Sequence, residues 1–448
     1  MIKLFKILGI SLGTMISIVV GIIGFWYILN PNRIVYPIQG EMYFKGSFLA
    51  AADGDMIATA YSDGVINKVK GIEDMLTFIS TDSSKATIQS KIPVSNSVVS
   101  WPSILAWNPE KQFAYVAETR GIYRGQSQKV SDVWTDMPTG KNISIIDYSD
   151  RKQPKTIQTK GIGENIQGVS INYDHSLLVA GSTKAGKEIV IANLNDGLIG
   201  EVHYFSNLEI SKKKDNNSGI KTVEFHPSKN IMAANLNNTH LVFYQVLDKD
   251  GKISLTQIGP SIAVAKHWSV GNWHPSGNYF ILTDVAWGEG PLGAIFNGNG
   301  KLVSIKFVTD GDHKVISEVA VGLSPEGFDV SPDGNYAIVS NMRRTYGPEF
   351  FWFVAGRKNA SLSLVKIDSK TGYLKSNGKQ YGFEGALPED VIFDEESNSI
   401  AVAVYHKQDE LFPTRGWIDF WELIDDELIK INQRTFISRG VHNLLLLK

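Results

Sequence analysis

Short apolar runs alternate with turn residues along most of the chain. The clearest phrases are WNPEKQFAYVAE, INYDHSLLVAG, FHPSKNIMAAN, WHPSGNYFILTD, VSPDGNYAIVSN and FDEESNSIAVAV, with a weaker copy, LAAADGDMIATAY, before them. In each, an apolar strand runs into a Pro, Asp, Gly or Asn turn and a second strand follows, which predicts a hairpin. Anchored at Ala52, Pro109, Tyr173, Pro227, Pro275, Pro332 and Glu395, the units are spaced by 57, 64, 54, 48, 57 and 63 residues. Repeats of that period belong to propellers and solenoids. Two more strand-like runs follow each hairpin, as in ASLSLVKID, a SKTG turn, then YLKSNGK. The prediction is an all-β, seven-bladed β-propeller of four-stranded antiparallel blades. The terminal phrase SRGVHNLLLLK reads as one more innermost strand, expected to pair into the first blade and close the ring.

The amino end follows a different rule. From Ile7 to Leu29 no residue is charged, a run of 23, and a helix of that length spans about 34 Å. Lys3 and Lys6 precede it. Phe25, Trp26 and Tyr27 stand at its far end as an aromatic belt would, and Asn30 and Pro31 stop it. A cleaved signal peptide has a shorter apolar stretch and a small-residue cleavage site, which FWYILNPNR lacks. Residues 1–31 are therefore expected to form one transmembrane signal anchor with a cytoplasmic N-terminus. The propeller, 32–448, would then lie on the extracytoplasmic, periplasmic side, with 32–45 as a stalk or added outer strand.

Composition narrows the chemistry. With 44 Lys and Arg against 46 Asp and Glu, the chain lacks the cationic footprint of a nucleic-acid binder. The absence of cysteine excludes disulfides, thiolate metal sites and cysteine nucleophiles. Three motif matches fail in context. Gly9-Ile-Ser11-Leu-Gly13 lies inside the apolar span, where a nucleophile elbow has no strand to sit on. Gly288-Glu-Gly290-Pro-Leu-Gly293 runs into Pro291 and a strand rather than a phosphate-binding helix. Gly181 to Lys187 resembles a Walker A loop, but Glu188 replaces its Ser or Thr. No H-E-x-x-H and no complete EF-hand motif is present, the cofactor stays open, and a divalent cation could be held only by Glu and His side chains brought together at the mouth described next.

Position in the repeat leaves one candidate region. The start of each innermost strand and the loop after each second strand converge on one mouth of a propeller. Six residues before each turn anchor stand Ser103, Gln167, Lys221, Ser269, Glu326 and Glu389, with His267 just ahead of Ser269. The second loops bring Arg120 and Arg124, Asp284 and Trp287, Arg343 and Arg344, and His406 and Arg415. Glu326, Glu389, His267 and Arg343 are the candidate catalytic set. A carboxylate or imidazole serves as general base, and an arginine stabilises an oxyanion. Arg120, Lys221, Arg344, His406 and Arg415 are candidates for binding a small acidic ligand. Salt bridges between polar loops would give the same composition. His226 and His274 occupy matching repeat positions and read as structural. Phe350, Phe351, Trp352 and Phe353 are expected to pack on their own blade or form an apolar lip for a protein partner or a bilayer. Glycosylation sequons stand at Asn142, Asn216, Asn237 and Asn359.

The phrases HPSGNYFILTD and SPDGNYAIVSN, followed by SLSLVKIDSKTGYL, resemble the lactonase-like or YVTN-type seven-bladed propellers. The resemblance implies the propeller fold, and relatives that open or close lactone rings or bind ligands and protein partners. Since the motifs of catalysis fail, the first expectation is a membrane-held ligand- or protein-binding module. The alternative is a lactone hydrolase or isomerase with its site in the central funnel.

Overall fold

A computed structural model describes residues 12–29, 33–81, 85–97, 99, 101–206, 219–249, 251–288, 293–294 and 296–448. Ser11, the sequon at Asn216 and most of the SKKKDNNSG segment lie outside the described residues.

Seven antiparallel sheets stand around one axis. Blade 2 is typical: Leu105–Asn108, Phe113–Ala117, Asn142–Asp147 and Lys155–Gly161 pair in that order. The innermost strands of blades 3 to 7 are Ile166–Ile171, Val223–Phe225, Trp268–Trp273, Pro325–Val330 and Val391–Phe393. Blade 6 carries its outer edge as two short strands, Leu374–Ser376 and Tyr381–Phe383, both paired to Ala360–Ile367.

The ring closes through blade 1. Its innermost strand is the C-terminal Val441–Leu447, paired antiparallel to Ser47–Ala52 with Leu49 opposite Leu445. Closure removes the two edges an open sheet would expose. Second strands are buried on both faces, as in Ile231–Leu236 and Ser399–Val404. Outer strands alternate, because one face of each meets water.

Leu12–Leu29 is helical. Among the described residues, no helix is long and apolar enough to cross a membrane. Residues 33–45 run along the outer edge of blades 6 and 7. The Val35 amide donates to Gly382 O at 2.8 Å, Ile38 bridges Ile431 in parallel, and the Lys45 amide donates to Asp394 at 3.1 Å.

Candidate active site

Strand direction decides which loops meet. Every innermost strand begins at the mouth, so each link between second and third strands lies there too. In blades 3 and 4 these links are short, between Ser182 and Ile189 and between Leu236 and His240. In blades 1, 2, 6 and 7 they are longer: 53–74, 118–141, 342–359 and 405–414. These loops share a core of their own, with Met56, Ile66, Val133, Met342, Leu387 and Tyr405 in one cluster. They form a cap over the mouth.

Glu326 and Glu389 meet beneath that cap, 3% and 1% exposed. Gly327 allows the approach: a Cβ there would collide with the Glu389 carbonyl oxygen. Ser269 Oγ and Thr283 Oγ1 donate to Glu326 O at 3.0 and 2.9 Å and hold its backbone. One carboxyl oxygen of each, Oε2, has no hydrogen-bond partner among the described residues. Burial is the main force raising both carboxyls well above the usual range. The charges of Glu326, Asp53 and Asp390 push Glu389 up further, while a hydrogen bond from Tyr61 opposes this. Two such groups in electrostatic contact ionise in coupled steps.

Aromatic rings wall the pair. Tyr61 lies 5.7 Å from Trp134, centroid to centroid. The Tyr346 hydroxyl bonds to Ser324 Oγ at 3.0 Å and donates to Ala294 O at 2.7 Å. Trp287 packs 5.6 Å from Tyr346 and 5.5 Å from His267, and His267 lies 5.6 Å from Trp101. Burial, then the charge of Lys221, lowers His267 to about 4 against the pull of Asp284. His267 is therefore neutral near pH 7. Lys221 itself lies 5.9 Å from the Trp134 ring.

Acidic groups continue down the axis. A central cavity of about 510 Å³ is lined by Glu224, Asp329 and Asp390, with Asn272, Trp273 and Asn443. Burial raises Glu224 and Asp390 to about 8 and Asp329 to about 6. Asn443 Nδ2 and the Leu444 amide each donate to Asp390 Oδ2 at 2.7 Å and join the closing strand to blade 7.

The arginines take other roles than their loops suggest. Arg343 of the candidate catalytic set bonds within blade 6. Its Nη1 donates to Asn359 Oδ1 at 2.8 Å, and its side chain lines a flank cavity of about 670 Å³ with Arg33 and Gln380. Arg344 donates to Ala355 O and Asn297 O, and Arg120 to Trp134 O, so both brace the cap. His406 Nε2 accepts from the Ala58 amide at 3.0 Å and Nδ1 donates to Lys407 O at 2.7 Å, which fixes a neutral imidazole inside the cap. Arg415 is exposed and stacks on Phe436 at 4.3 Å. Of the nine residues singled out from sequence, Glu326 and Glu389 form a pair, and Lys221 and His267 share a neighbouring wall.

Sequence reasoning missed Tyr61, Tyr346, Trp101, Asp390 and the acidic phrase Asp53-Gly54-Asp55. Only Asp390 carried a signal, since it follows Glu389 directly. Asp53, Asp55 and Asp74 converge with carboxylate oxygens within 4.8 Å of one another, the described arrangement most suited to a divalent cation. Positive charge is already present there: Arg439, fully buried, donates to Gly54 O at 2.9 Å, and its charge and that of Lys68 act on Asp55.

Sequence comparison finds no matching protein family and no matching curated protein. Solved structures do match in fold. A periplasmic gluconolactonase of Pseudomonas aeruginosa superposes with a TM-score of 0.63 at 14% identity, covering 90% of this chain and 99% of its own. Putative 6-phosphogluconolactonases of Bacteroides fragilis and Bacteroides uniformis give 0.61 and 0.60 at 15% and 13% identity, covering 90% of this chain and 98% and 99% of theirs. At the level of fold, the chain is similar to these lactonase-like seven-bladed propellers.

Proposed function

We propose that this protein hydrolyses lactone rings, with Glu326 and Glu389 as the reacting pair. The observation that carries the reading is the pair itself: two buried carboxyls, each with one oxygen unused among the described residues, pushed up by burial and by Asp390, with Glu326 acting on Glu389 as well. The fold neighbours described as lactonases support the same choice over a binding module.

With one proton on the pair, the ionised carboxyl takes a proton from water. The water oxygen attacks the lactone carbonyl carbon. The protonated carboxyl gives its proton to the ring oxygen as the acyl C–O bond breaks. The product is a hydroxy acid, and the pair again holds one proton. The aromatic wall suits the flat faces of a ring, and Lys221 places a positive charge on the side from which an acidic substituent would be drawn.

A pH-stat assay on gluconolactone, 6-phosphogluconolactone and five-membered lactones tests this. Wild-type protein should exceed spontaneous hydrolysis. Glu326→Gln and Glu389→Gln should each lower kcat/KM by about 100-fold or more without lowering the melting temperature, because each removes a buried charge rather than a packed group. A wild-type rate equal to the spontaneous one on every lactone would remove the reading.

The uncharged run from Ile7 to Leu29 in the sequence, preceded by Lys3 and Lys6, supports a second element of the proposal, that the propeller is held at a membrane on its extracytoplasmic side. Flotation of the full chain with vesicles checks it.

A further inference from the structure

We infer that the mouth-side rim of blades 6 and 7 rests on the surface of a bilayer in which the apolar run from Ile7 to Leu29 is anchored. This rests on the membrane reading above and adds an orientation to it.

Two rim loops expose large apolar side chains. Phe350 and Trp352 in blade 6 are 67% and 66% exposed, and Leu411 and Phe412 in blade 7 are 70% and 68% exposed. Side chains of this size cluster on a surface where something covers them. The loops form one unit. Arg357, 2% exposed, reaches Asp409 at 2.7 Å, while its Nε donates to Gly347 O and Pro348 O at 3.2 and 3.0 Å.

The path of the chain names the occupant. The Val35 amide bonds to Gly382 O, and Gly382 faces Ser361 at the mouth end of the third strand of blade 6. Ser361 directly follows the loop that carries Phe350 and Trp352. From there the chain runs to the opposite face, where Lys45 meets the Asp394 turn. Arg33 therefore stands on the rim side. Four residue steps separate Leu29 from Arg33, at most about 15 Å. A helix bearing exposed Ile16, Val20, Ile22 and Phe25 thus ends close to the apolar loops.

Charge points to an apolar rather than an electrostatic contact. Glu349, Asp409 and Glu410 on these loops are matched by Arg357, Lys358 and Lys407. An interface made this way inserts aromatic and aliphatic tips at the headgroup boundary and depends little on anionic lipid.

The chain has no cysteine, so single labels are specific. Full-length protein carrying Glu349→Cys or Glu410→Cys is labelled with bimane and reconstituted in phosphatidylcholine vesicles containing nitroxide lipid. Tyr173→Cys, in the turn on the opposite face, is the reference. Both rim labels should be quenched, in about 0.5 M salt as well as at low salt, and the Tyr173 label should not. Replacing Phe350, Trp352, Leu411 and Phe412 together by serine should abolish rim quenching and leave flotation intact. Flotation with unquenched rim labels overturns the docking and leaves the anchor standing. Equal quenching at Tyr173 also overturns it. Failure to float removes the anchor, and the docking with it.

Discussion

The Nε2 atom of His274 lies 2.9 Å from the carbonyl oxygen of Gly334, in the equivalent turn of the next blade. His226 makes the same contact with Gly277 at 3.0 Å. In both rings Nδ1 accepts a backbone amide two residues on, from Ser276 and Ser228, so Nε2 carries the proton that links the blades. Both glycines have positive φ, +69° at Gly277 and +75° at Gly334, and a Cβ on either would press into the histidine ring.

This contact makes the first prediction. His274→Ala should cost about 1–2 kcal/mol, the range for losing a buried hydrogen bond and leaving its acceptor unpaired. Gly334→Ala should cost about 3 kcal/mol, since backbone strain and collision with the ring combine. The double variant should cost less than the sum, because both remove one contact. Urea unfolding of the three proteins measures this. Strict additivity would show that the two residues do not act together.

Tyr61 supplies the second. Its hydrogen bond favours ionised Glu389. Tyr61→Phe removes it, so the Glu389 carboxyl should rise further. The acid limb of the kcat/KM profile should move to higher pH, with the fold kept. An unmoved profile would mean that Tyr61 does not act on the pair.

The third concerns pH and stability. Glu224 and Asp390 are held near 8 by burial, against about 4 for an unfolded carboxyl. Between these values the folded state keeps protons that the unfolded state has released, so stability falls as pH rises through 8. His267 and His406, lowered to about 4, and His442, lowered to about 3, act in the opposite sense. Below about pH 6.5 the unfolded chain takes up protons that these rings refuse, and their contribution to stability falls as pH drops. Above that pH only the carboxyls contribute. The melting temperature should therefore decline from pH 6.5 to pH 9, and less steeply in Glu224→Gln. An equal melting temperature at both pH values would contradict this origin.

How much could be read in advance differs residue by residue. Glu326 and Glu389 were found by counting back from turns, because a strand start has a set phase relative to its hairpin. Asp390 belonged to the same phrase yet went unread, since nothing local says that Asn443 will meet it from the other end of the chain. Tyr61 and Tyr346 lie in loops outside the repeating hairpins, so no register could place them. Arg343 and Arg415 sat in the expected loops, but the direction of a long side chain depends on its nearest acceptor or ring, here Asn359 and Phe436.

Alternation and turn chemistry act between residues close along the chain, so the hairpins, their sevenfold repetition and the closing strand were legible there. Which carboxyls lie together, what the cap covers and where each arginine bonds became visible only in the folded chain. Those outcomes depend on distance through space and on burial, and neither is set until the blades have packed.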